Sequence, residues 1–433
     1  MGKKYTEVRR RQQVMLRYLI KKLGFEDKLK SIYLCGTGGR KNERIEININ
    51  AITSDNPVMR ASIRNLNLCD NPNCPRCMKI SGMIKEYQIH KAMEYAKENG
   101  YVVFMETFSI PSRKGDVPKF LVELFYRAFK HYTTYRLLHE EVEEYIYSFE
   151  PSFVKSVMLL YYHLHKLVFV KKERVQEYID KMEKRRQYWT KCIEDSGREL
   201  NEIERKKAEK FGFYCVSLDN EGKPREIKTD EEANYLIKRQ NDKKTEKRKK
   251  ENVVDFTDLL DEELEFENDG NSLKLVDTKV NKRKLIMMYN VVFILYALRG
   301  RTSFLISQNL REKLGFKGKR PGYFIKLLLA DGVEIEGQHR DNKVIIEKTN
   351  LCTIDSTTWR EICKRELESL EPFSLTILES VEENGKQGLL DYCKRYNIST
   401  DGIEFNPDYS DEVYSKYFRS RLREQEELQN DSG

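Results

Sequence analysis

The chain has 433 residues, of which 34% are charged and 39% hydrophobic, which describes a charged globular protein of two or three domains rather than a disordered one. No run of about twenty apolar residues exists, so a membrane-spanning helix is excluded, and without an apolar leader the sequence is expected to be cytoplasmic. The formal net charge of +8 favours a polyanionic partner but is small against 78 basic residues, so its distribution has to decide. In a reducing compartment the nine cysteines are expected to be zinc ligands or buried thiols, not disulfides.

Residues 1–80 open with an amphipathic helix expected from about Tyr5 to Leu23. Arg9, Arg10, Arg11, Arg17, Lys21 and Lys22 stand beside Val8, Val14, Leu16, Leu19 and Ile20, either as a solvated face or as phosphate contacts. Cys69, Cys74 and Cys77 then supply three thiols within nine residues. Cys35, after its own turn at Gly36, is the expected fourth ligand of a structural zinc ion, with His90 as the alternative. The segment between has few apolar residues, so a tetrahedral site is what closes it.

Residues 81–240 are expected to form an α+β domain. A helix from Ser81 to Asn99 stops at Gly100, a strand runs from Tyr101 to Pro111, and a helix spans Pro118 to about Tyr135. The stretch Tyr161 to Val170 is rich in β-branched and aromatic residues. As a strand it sets His163 and His165 on one face and Leu164 on the other. Two adjacent imidazoles suit a divalent metal with open positions for a carboxylate, water or substrate, or else form a partly buried histidine pair. Strand, helix and strand in this order fit an antiparallel sheet with flanking helices rather than a dinucleotide-binding unit, and no glycine-rich phosphate loop is present. Residues 171–210 are read as one or two long helices anchored by Tyr188 and Trp189. Thr229 or Asp230 caps a helix running to Arg239, on which Glu231, Tyr235 and Lys238 share a face.

Residues 241–282 read as a charged linker. Lys238 to Glu251 holds eight basic and three acidic residues, while Asp255 to Asp269 holds eight acidic and none basic. Beyond it, helices at Lys284–Leu298, Ser303–Gly315 and Pro321–Ala330 are followed by a hairpin of residues 333–336 and 343–346. That is winged-helix order across 283–350, which brings Arg320, Lys326 or Arg340 toward duplex DNA, or else a helical extension that packs on the preceding domain. Residues 351–433 read as a mostly helical extension.

Several separated stretches together resemble one family, the rolling-circle replication initiators of small bacterial plasmids, within the HUH endonuclease superfamily. Cys35-Gly36 with Cys69, Cys74-Pro75 and Cys77 is similar to its cysteine region. Phe104 to Ile110 is similar to its first strand motif, and Tyr161 to His165 to its metal motif. Glu231 to Lys238 resembles its tyrosine helix, and Leu295 to Arg301 a segment that follows. Two departures stand out. Tyr161 occupies a position where a further histidine is common, and Glu106 lies in a strand that is usually neutral there. The third metal ligand is therefore expected to be a neighbouring carboxylate, Glu106 or else Glu150.

The resemblance implies a site-specific endonuclease and strand transferase using Mg2+ or Mn2+ at His163, His165 and Glu106. Tyr235 is the implied nucleophile, Glu231 a general base for water at termination, and Lys238 a partner of the phenol or of a flanking phosphate. Implied partners are single-stranded or hairpin origin DNA, flanking duplex DNA, a host helicase and a second copy of the chain on the origin. Two other readings are a zinc-dependent DNA-binding regulator without nuclease activity and a transposase or relaxase of the same superfamily.

Overall fold

The computed structural model describes residues 2–39, 43–52, 58–154, 159–207, 217, 219, 223–234, 253–261, 264–268, 273–330, 345–370 and 373–409. The architecture is α+β with antiparallel sheets, and no helix among the described residues is long and apolar enough to cross a membrane. The chain divides into two compact units. The first comprises residues 1–81, 265–276 and 321–433, and the second residues 82–264 and 277–320.

In the first unit a four-stranded sheet runs in the order Ile403–Phe405, Ile345–Ile354, Ile45–Ile52, Val58–Arg64. Alternation in the strand Ile45–Ile52 sends Ile45, Ile47 and Ile49 into a core with Trp359, Ile362, Ile377, Val381 and Leu389. The last five come from the helices Ser356–Ser369 and Phe373–Arg395. Asp355 caps the first of these, accepting from the amides of Thr357 and Thr358 at 2.8 and 2.7 Å. A short hairpin, Phe266–Asn268 with Leu273–Leu275, completes the unit.

In the N-terminal helix, Gly2–Lys22, three arginines depart from both readings of its charges. Arg9, Arg10 and Arg17 are buried with Val14, Leu16, Leu19 and Ile20. Arg17 pairs with Glu366 at 3.2 Å and donates to the carbonyl of Cys363. The Arg17 guanidinium is an internal brace, whereas Arg11, Lys21 and Lys22 remain exposed.

In the second unit the sheet order is Tyr101–Ser109, Leu159–Lys171, Val142–Val154, Val253–Asp255, all antiparallel, and Phe304–Ile306 also pairs with Val142–Val154. One face is covered by the helices Pro118–Thr134 and Met182–Asp195, whose Phe125, Phe129, Tyr132 and Trp189 pack with Phe108 and Phe149 of the sheet. Trp189 donates to the carbonyl of Ser109 at 3.0 Å, which satisfies its indole inside this aromatic layer. The other face carries the histidines.

Three stretches depart from the sequence reading. Within the expected linker 241–282, Val253–Asp255 joins the sheet, Leu259 and Leu260 are buried in a 3-10 turn, and Phe266–Asn268 pairs with Leu273–Leu275. The region 283–350 is divided between the two units at residue 320, and its expected helix Ser303–Gly315 begins as the strand Phe304–Ile306. The strand Ile345–Ile354 pairs with Ile45–Ile52, while residues 333–336 and Arg340 lie outside the described residues. The described residues of 351–409 are not an appendage but supply the end of the strand Ile345–Ile354, the strand Ile403–Phe405 and the core helices of the first unit.

Candidate metal centres

Among the described residues two clusters of potentially ligating side chains form, one in each unit. In the first unit Cys35, Cys69, Cys74 and Cys77 converge with all four sulfurs within 4.8 Å of one another. The Sγ atoms of Cys35 and Cys77 are 3.5 Å apart, and those of Cys69 and Cys77 3.6 Å. A disulfide needs about 2.05 Å. Zinc–thiolate bonds of about 2.3 Å in a tetrahedron put sulfurs about 3.8 Å apart, so the cluster fits zinc.

The local backbone explains the convergence. Asn71 turns the knuckle by accepting from the amide of Asn73, and the amide of Cys77 bonds the carbonyl of Cys74 at 3.0 Å. Gly36 adopts φ +74°, a conformation that strains residues with a Cβ, and the Arg76 guanidinium lies against its open face. Its carbonyl accepts from the Trp359 indole at 3.0 Å, which fastens the Cys35 turn to the core.

Hydrogen bonds from the other three thiols hold the Cys35 thiol well below its ordinary range, assisted by Arg76. Four thiolates around a divalent ion carry net negative charge, and the adjacent guanidinium offsets it. Cys352, Cys363 and Cys393 differ. Burial pushes the first two up to about 12 and the third up to about 11, as expected of inert core thiols. His90, the alternative zinc ligand, instead contacts Asp230 at 2.5 Å and Glu94 at 3.3 Å.

In the second unit Glu150, His163 and His165 form the other cluster, again within 4.8 Å. Cross-strand register brings them together: Glu150 lies opposite His163, and Ser148 opposite His165. Glu150 Oε2 is 3.2 Å from His163 Nε2 and 3.8 Å from His165 Nε2. Adjacent ligands of an octahedral ion with bonds of about 2.1 Å stand about 3 Å apart, so the three atoms fit a hard divalent cation.

His165 is also held from behind. Its Nδ1 lies 3.0 Å from Thr107 Oγ1, which lies 2.8 Å from Ser217 Oγ. With Nδ1–H donating to Thr107 and that hydroxyl donating to Ser217, the Nε2 lone pair is left for the site. Ser217 is itself fixed on the edge strand, its amide bonding the carbonyl of Met105 at 2.9 Å.

Glu106 does not join this cluster. It lies opposite Lys166, one residue out of step with the Thr107–His165 pair, and so faces the other side of the sheet. There it is fully buried, paired with Lys166 at 3.0 Å and accepting from Tyr178 at 3.3 Å. The carboxylate beside the imidazoles is that of Glu150.

Two further side chains border the site. Tyr161 shares the face of the histidines, is exposed, and sets its ring 5.3 Å from that of His163. Lys85, on the helix Met78–Glu98, holds its ammonium 5.3 Å from the Phe304 ring. Burial draws that ammonium down to about 8, with Glu150 acting in the opposite sense. Neither Lys85 nor Thr107 has a sequence signal, since each sits in an ordinary helix or strand pattern.

Of the tyrosine helix, Asp230–Ala233 is described, and Tyr235 and Lys238 lie outside the described residues. Thr229 caps it by accepting from the amide of Glu232 at 3.2 Å, while Glu232 accepts from the amide of Lys228 at 2.9 Å, so Glu232 serves the cap. Glu231 is exposed. The contact of His90 with Asp230 ties the start of this helix to the one that carries Lys85. Compared with known protein families, curated proteins and solved structures, the chain finds no match.

Proposed function

We propose that the second unit is a metal-dependent DNA nicking and joining domain of the kind that initiates rolling-circle replication. The observation that carries this reading is the meeting of Glu150, His163 and His165 on one sheet face, with Thr107 behind His165. A divalent ion held by these three residues would draw negative charge from a non-bridging oxygen of a phosphodiester.

The rest of the chemistry belongs to the chain's own groups. The Tyr235 oxygen, losing its proton, bonds to phosphorus as the bond to the 3′-oxygen breaks. That oxygen takes up a proton to become a free 3′-hydroxyl, and the 5′ end stays on the tyrosine. A phenol, with a pKa of about 10, is both a workable nucleophile and a good leaving group when the ends are rejoined. Glu231 serves as base for water when the link is hydrolysed, and Lys238 holds the phenol or a flanking phosphate. The tie between Asp230 and His90 supports this assignment, because it joins the start of the tyrosine segment to a helix that also borders the metal ligands. The exposed Tyr161 ring offers a stacking surface for an unpaired base, which favours single-stranded substrate.

Incubation of supercoiled origin plasmid with Mn2+ tests the reading. Nicked circles with a protein-linked 5′ end are expected. Tyr235→Phe and His163→Ala are each expected to reduce nicking at least a thousandfold while duplex binding persists. Undiminished nicking by Tyr235→Phe would remove the assignment. The four-thiol cluster favours a second reading, a zinc-dependent DNA-binding regulator, for which none of these products should appear.

A further inference from the structure

We propose that Lys85 is a phosphate-binding residue of the Glu150–His163–His165 site, gripping the backbone of a single-stranded nucleic acid; this rests on the nicking reading above. Its position follows from three neighbouring strands. Phe304 lies opposite Ser148, and Ser148 lies opposite His165, so the ring beneath the Lys85 ammonium belongs to the same sheet face as the metal ligands. The cation rests 5.3 Å from that ring, which fixes it without neutralising it.

Among the described residues the counter-charge that Lys85 feels is Glu150. That carboxylate is already engaged, since its Oε2 faces both imidazoles. A divalent ion at those three ligands would take the carboxylate's charge for itself. Two positive charges of the ion and one of the lysine against a single carboxylate leave an excess of two. A half-buried ammonium facing such an excess requires an anion. A phosphodiester brings one negative charge and two non-bridging oxygens, so it can face the ion with one and the ammonium with the other.

The assignment separates cleanly from a bracing role. A lysine that merely orients Glu150 would, on removal, weaken the metal site. A lysine that shares the phosphate opposes the ion electrostatically, so removing its charge leaves Mn2+ affinity equal or higher while oligonucleotide affinity falls. The experiment uses the full chain as wild type, Lys85→Met, which keeps the packing on Phe304, and Lys85→Arg, which keeps the charge. Mn2+ affinity is read by calorimetry, and binding of a fluorescent oligo-dT by anisotropy in saturating Mn2+.

Lys85→Met is expected to bind the oligonucleotide roughly tenfold more weakly with undiminished Mn2+ affinity, and Lys85→Arg to restore binding. Equal oligonucleotide binding by Lys85→Met, or a parallel loss of Mn2+, overturns the assignment. On the wild-type chain, where folding of a variant is not at issue, the oligonucleotide should shield Lys85 from acetylation in Mn2+, and unchanged labelling would also overturn it. The readouts are binding, not cleavage. A chain that shows this pattern yet nicks no origin DNA keeps the phosphate contact and loses the nicking reading, whereas one that nicks while Lys85→Met binds normally does the reverse.

Discussion

Glu106 and Glu150 are both carboxylates on strands next to the histidines, and what separates them is which way each side chain points. Period-two alternation within one strand places His163 and His165 on a common face, and this is legible in the sequence because it is local. The partner of each histidine across the sheet depends on register between strands, which distant residues set. A shift of one residue exchanges the faces, so Thr107 meets His165 and Glu106 falls opposite Lys166 on the far side. Glu150→Gln is therefore expected to lower Mn2+ affinity at least tenfold with little change in melting temperature. Glu106→Gln should do the opposite, leaving Mn2+ binding unchanged while costing about 3–5 kcal/mol of stability, because Lys166 would be left as an unpaired buried charge. Calorimetry of the two variants side by side checks both. The thiol set was more legible than the carboxylate, since three of its four members lie within nine residues and only Cys35 arrives from elsewhere.

At the level of elements, helices and strands with strong periodicity were readable: Gly2–Lys22, Tyr101–Ser109, Pro118–Thr134 and Lys279–Ala297 all lie near their expected positions. The acidic run after Asp255 was not, because its high charge masks a short apolar set. Leu259 and Leu260 are buried beneath that charge, and the turn that carries them packs on the helix Lys279–Ala297. Val253–Asp255 just before it occupies the edge of Val142–Val154, pairing Ser152 with Asp255 two residues from Glu150. This supposed linker thus supports the strand that carries Glu150. Leu259→Ala is expected to cost about 2–5 kcal/mol, the usual price of emptying a core position, and urea denaturation of the second unit's transition would measure it. The expected helix Ser303–Gly315 missed its opening strand for a related reason: helical periodicity is local, but Phe304–Ile306 finds its partner about 158 residues earlier, as a strand edge always allows.

For the whole molecule, the four-cysteine segment and the C-terminal helices looked separable, because nothing local links residue 36 to residue 359. The structure joins them through the bond from the Trp359 indole to the Gly36 carbonyl and through pairing of Ile45–Ile52 with Ile345–Ile354. A chain ending at residue 350 is thus expected to lose zinc rather than retain a folded knuckle, and elemental analysis of the purified truncation would check it. Retention of one zinc per chain would show the segment to be self-sufficient. The same interleaving has a consequence for biosynthesis. On the ribosome the four cysteines emerge early, yet the strand and the helix that fasten their segment follow roughly 300 residues later, a wait of tens of seconds at roughly 5–20 residues per second. Throughout that interval the nascent thiols stand exposed to oxidants and competing metals, while the inserted unit is free to fold first.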